Sequence, residues 1–155
     1  MKKITLAVAA LILIGIALIL GIVLSKNKSP QGQIVQDSII GCYSMISGQD
    51  KYLMNITSQE GVHVTGILAF NNYQKDSSHG TFDGTYENGI LMGNYSFASE
   101  GMDSIMQVAF KKMGDTFVRG YGPVVNEGTQ FMSPDSIIYD EKDPLAVFDK
   151  TVCTE

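Results

Sequence analysis

Asp76-Ser77-Ser78-His79 places a nucleophile type beside a base type in this 155-residue chain. That pairing suggests acyl transfer. Triad members, however, must converge from separate elements, which sequence neighbours cannot do. DSSHG between two strand-like runs is ordinary turn composition. His63 is out of phase with the apolar positions of its run and should face outward. With His79 it makes no zinc pattern. Asp135, Asp140 and Asp143 gather with Glu141 in SPDSIIYDEKDP. Such oxygens could hold Ca²⁺, yet the spacing fits no EF-hand and Lys142 interrupts it. A solvated acidic loop is expected, and no metal or cofactor is assigned. Arg119 is the one charge in an apolar setting, TFVRGYG. Turned inward, it needs an aromatic face or a carboxylate to offset desolvation, and it could receive an anionic ligand; turned outward, it is a plain surface residue. No convergent set of acid, base and nucleophile emerges, so catalysis is not expected, and an enzyme of unknown class stands only as a further alternative.

The glycines of GTFDGTYENGILMGNYSF (residues 80–97) could suggest a phosphate cradle, but no strand-loop-helix context and no GK[ST] follow. The spacing has another explanation. G-x-[FL]-x-G-x-Y occurs twice, offset by nine, with Asn88-Gly89 between the copies. Asn-Gly is the strongest short signal for a type I′ hairpin. Taking it as the loop pairs Tyr86 with Leu91, Gly84 with Gly93 and Phe82 with Tyr95, all on one face. Thr81, Asp83 and Thr85 then face the other way. Opposed Gly84 and Gly93 would let the sheet coil and let rings lie over bare backbone.

Similar alternation marks strands over 39–46, 51–57, 62–70, 104–110 and 116–122, with weaker candidates at Phe131, 137–139 and 146–152. Seven to nine short strands in sequence predict an all-β domain over 37–155. Closure removes sheet edges, which favours a small antiparallel up-and-down barrel, with a two-sheet sandwich as the alternative. Cys42 lies in the first of these strands and Cys153 at the last. Barrel closure makes those strands neighbours, so a Cys42–Cys153 disulfide is expected, and with it an oxidising compartment.

Residues 4–24, ITLAVAALILIGIALILGIVL, carry no charge. As a helix they would be about 31 Å long, enough to span a bilayer. The run is longer than a typical signal-peptide core and lacks a good cleavage site. A signal-anchor transmembrane helix is therefore expected, with residues 25–36 as a flexible spacer. The disulfide tilts the topology to a cytoplasmic N-terminus and a domain outside the cell membrane. Beyond residue 30, seven basic residues stand against sixteen acidic ones, a formal −9. Such a domain repels phosphate backbones, and no nucleic-acid partner is expected.

GTFDGTY and GILMGNY resemble strands of the calycin-type barrels, avidins and lipocalins. Gly41-Cys42-Tyr43 stands where those folds often carry G-x-W in their first strand. The resemblance implies that Arg119 packs over Tyr43, as a late-strand arginine packs over the lipocalin tryptophan. It does not extend to biotin, whose pocket depends on tryptophans, and this chain has none. The layout also resembles membrane-anchored bacterial envelope proteins. The leading expectation is a membrane-anchored, extracytoplasmic interaction module that presents Ile67, Ala69, Ile90 and Met92 to a protein, peptide or glycan partner. The alternative is a small-ligand barrel in which Arg119, Tyr43 and Tyr95 meet the ligand. A filled interior would tell against a carrier.

Overall fold

Residues 37–153 are described here from a computed structural model. They form strands β1 (Gly41–Ser47), β2 (Asp50–Glu60), β3 (His63–Asn71), β4 (Ser78–Glu87), β5 (Ile90–Ser99), β6 (Met102–Met113) and β7 (Thr116–Tyr121). After these come β8 (Val124–Val125), β9 (Gln130–Phe131), β10 (Ile138–Tyr139) and β11 (Val147–Thr151). Strands β1 to β7 pair successively and antiparallel. Strand β11 then joins β7 to β1, closing an eight-stranded barrel. Short β10 lies beside β7 next to Gly120 and Tyr121, continuing the position that β11 occupies. The sandwich alternative is set aside, because one sheet closes on itself.

The hairpin at Asn88-Gly89 has the expected register, with Phe82 opposite Tyr95, Gly84 opposite Gly93 and Tyr86 opposite Leu91. Asn88 and Gly89 both have positive φ, 52° and 80°, as a type I′ turn requires. The two glycines approach closely. A Cβ on Gly84 would lie 2.6 Å from the Gly93 Cα and 2.7 Å from the Phe82 Cζ. Rings therefore fill the room that the glycines leave. Tyr43, Phe82, Tyr95, Phe110, Phe117 and Phe148 are all fully buried in one core. An eight-stranded barrel is just wide enough for side chains to fill it.

The disulfide Cys42–Cys153 staples the β1–β11 seam. The lead-in to β1 is clamped by Gln59, whose Oε1 accepts from the Ile39 amide at 2.9 Å. Ile39 itself is fully buried in the core.

The membrane-anchored architecture is corrected. Among the described residues no helix is long and apolar enough to cross a membrane. The helical element found there is a three-residue 3₁₀ turn, Pro134–Ser136. In the described strands apolar side chains alternate in and out of the barrel wall, so none of these strands runs on as an apolar span. The expected span over 4–24 and spacer over 25–36 lie outside the described residues. The single-pass topology, the membrane as partner and the anchored envelope module therefore have no support here and are withdrawn.

Candidate ligand-binding site

The barrel has two mouths. The turns after β1, β3 and β5 and the excursion from β7 to β11 surround one. The turns after β2, β4 and β6 surround the other, together with the lead-in to β1 and the disulfide.

Arg119 belongs to the first mouth. It shares its face with Phe117 on β7 and so points into the barrel, where it is half-buried. Its Cζ lies 4.4 Å from the ring centroid of Phe70 and 5.2 Å from that of Tyr121. Phe70 comes from β3 on a separate part of the wall. It belongs to a chain of rings running Tyr52–Phe70 (5.1 Å), Phe70–Tyr95 (5.4 Å) and Tyr95–Phe97 (4.7 Å, stacked). The phenols are held in place: Tyr52 donates to Asn72 Oδ1 at 2.7 Å, and Tyr95 to Ser78 Oγ at 3.2 Å. Burial raises the pKa of both tyrosines above 10.0, and the Arg119 cation partly offsets the rise. The one ion pair among the described residues is His63–Asp83, on the outer wall. Among the described residues Arg119 thus has aromatic faces and no carboxylate.

A gap in the wall gives access to this cation. Strand β6 outruns β7, and their ladder covers only Phe110–Met113 against Thr116–Arg119. Beyond it, β6 is met by the excursion. The Gln107 amide donates to the Thr129 carbonyl at 2.8 Å, and Gln107 Oε1 accepts from the Phe131 amide at 3.0 Å. A pocket of about 130 Å³ remains beside Arg119, with Met106, Val108, Tyr121, Val124 and Phe131 as its apolar walls. Gln107 also lines it, and with its carbonyl engaged it keeps an amide N–H₂ to donate.

The other sequence-derived candidates lie elsewhere. Tyr43 lines the opposite mouth and donates to the Ile39 carbonyl at 3.0 Å. The expected packing of Arg119 over Tyr43 is not found. Phe117 occupies that place, edge-on to Tyr43 at 4.9 Å, and Arg119, two residues farther along β7, turns to Phe70 instead. Tyr95 and Arg119 share one mouth; Tyr43 does not.

Ser77 and Ser78 are occupied as hydrogen-bond acceptors, from the Asn72 amide and the Tyr95 hydroxyl, while His79 is exposed. In the acidic segment, Asp140 and Asp143 accept from the Lys142 and Leu145 amides, both at 2.9 Å, and shape the turn into β11. Asp135 sits in the 3₁₀ turn. Among the described residues no group of three or more potential ligands could hold a metal ion.

Sequence reasoning missed Gln107 and Tyr121 as pocket walls. The unequal lengths of SIMQVAFKKM and TFVRGY were the available signal, since a long strand beside a short one must leave part of its edge to something else.

No family model, curated protein or solved structure matches the chain. The barrel agrees with the calycin-type resemblance in architecture only.

Proposed function

We propose that this chain is a non-catalytic barrel that binds a small carboxylate with an apolar body at Arg119. One observation carries the reading. A half-buried guanidinium faces the lumen on an aromatic ring, beside an open pocket, with no carboxylate paired to it among the described residues. Withdrawing a cation from water costs free energy that an anionic ligand would recover, and a guanidinium matches a carboxylate with two parallel N–H donors. The Gln107 amide adds a donor, and the remaining walls suit carbon. The pocket has the volume of about four waters, so it would enclose the head and first carbons of a ligand. The rest would lie over Tyr121 and Ile138, which face each other across the β7–β10 pair and are 45% and 70% exposed. Because the lumen is filled, the ligand sits at the rim, and a carrier that encloses its cargo is not proposed.

Calorimetric titration of the full chain with benzoate tests this, with benzyl alcohol as the uncharged match. Benzoate should bind, the alcohol about tenfold more weakly or worse, and Arg119→Gln should remove the difference. Equal binding of acid and alcohol to the unaltered chain would overturn the reading.

A further inference from the structure

The opposite mouth carries a different chemistry and does not depend on Arg119. A cleft of about 480 Å³ opens there, within the size range of ligand pockets and well above the pocket at the arginine. Four charges line it: Lys112 from β6, Lys150 from β11, Asp115 from the β6–β7 turn and Asp37 from the lead-in to β1. Two are cations and two are anions, yet none is ion-paired among the described residues. The Lys112 ammonium is held otherwise. It donates to the Gly114 carbonyl and lies 5.5 Å from the Phe117 ring centroid. Buried Tyr43 also lines it, with its hydroxyl donating to the Ile39 carbonyl.

Opposite charges on one small surface usually find each other. Here none pairs with another: Lys112 and Asp115 lie at the β6–β7 turn, Lys150 comes from β11 and Asp37 from the lead-in to β1, and the cleft opens among them. A ligand with one charge would meet repulsion from two of the four. A ligand with an ammonium and a carboxylate would meet a partner for each. From this cleft we infer a second binding site, specific for a small zwitterion of the α-amino acid type. The carboxylate lies towards Lys112 and Lys150, and the ammonium towards Asp115 and Asp37.

The test is calorimetry on the full chain with L-glutamine, N-acetyl-L-glutamine, which keeps only the anion, and L-glutamine amide, which keeps only the cation. The zwitterion should bind saturably, and each half-charged analogue about tenfold more weakly. Lys150→Gln and Asp115→Asn, both at exposed positions, should each weaken glutamine by a similar factor. Arg119→Gln should leave glutamine unchanged, which separates this site from the carboxylate site. The inference fails if glutamine shows no saturable binding, if either analogue matches it, or if both cleft variants bind it as the parent chain does.

Discussion

The two mouths of this barrel are built from the same strands and hold their charges in opposite ways. At the arginine mouth one cation is set into a chain of aromatic rings, and the walls are apolar. At the lysine mouth four charges of both signs stand around a wider and more polar opening. Mechanical support differs as well. The arginine mouth relies on ring packing among Tyr52, Phe70, Tyr95 and Phe97, whereas the lysine mouth has the Cys42–Cys153 staple and the Gln59 clamp. The two ends of one closed β-barrel thus carry unrelated chemistry, with the filled core lying between them.

The largest expected effect strikes the stapled end. Cys42→Ser with Cys153→Ser opens a loop spanning a sequence separation of 111. That should cost about 4–5 kcal/mol in the chain-entropy model, read from denaturant unfolding. The loss should loosen the lysine mouth first, so glutamine binding should weaken before benzoate binding does. Equal weakening of both would mean that the ends are not independent. Next comes Phe70→Ala, which removes a buried ring and the seat of Arg119. A cost of about 3–4 kcal/mol is expected in the same assay, together with loss of benzoate selectivity. Smaller again is Arg119→Gln, where unfolding should change by less than about 1 kcal/mol while carboxylate preference disappears. A large stability loss instead would mark the arginine as structural.

The smallest effect is in the tyrosine titrations. Burial raises Tyr43 and Tyr95 above 10.0. The neighbours then diverge: Asp115 and Tyr86 add to the rise at Tyr43, whereas the Ser78 hydrogen bond and Arg119 oppose it at Tyr95. Arg119→Gln should therefore move Tyr95 farther up and leave Tyr43 in place, and Asp115→Asn should lower Tyr43 alone. Ring resonances followed by NMR through alkaline pH would read both. A folded pKa above the unfolded one means that the folded state holds its proton longer. The associated stability is present below about pH 10 and is lost as pH rises through the raised folded values.

Much of the wall was legible along the chain. The β4–β5 hairpin followed from two matching heptapeptides and one Asn-Gly turn, because register and face are local properties of a strand with period two. The direction of Arg119 stayed open along the chain, inward or outward, and the structure turns it inward on the face of Phe117. Its neighbour was not legible either. Tyr43 was expected beneath it, and Phe117 took that place, because the β6–β7 and β11–β7 registers seat Phe117 at the Tyr43 end of the barrel. The pocket at Gln107 was equally hidden, since it exists only where β6 outruns its partner and the excursion fills in. The anchored architecture expected from residues 4–24 has no counterpart among the described residues.

By itself, then, the sequence determined which side chains face inward, where the hairpin turns and which two cysteines could meet, for alternation and turn chemistry act over a few residues. Only the tertiary structure decided that Arg119 rests on Phe70, that Tyr43 and Tyr95 serve opposite ends, and that four charges share a mouth without pairing to one another. Those neighbours depend on the tilt and stagger with which eight strands close, and strand closure is a property of the whole circuit that no single segment encodes.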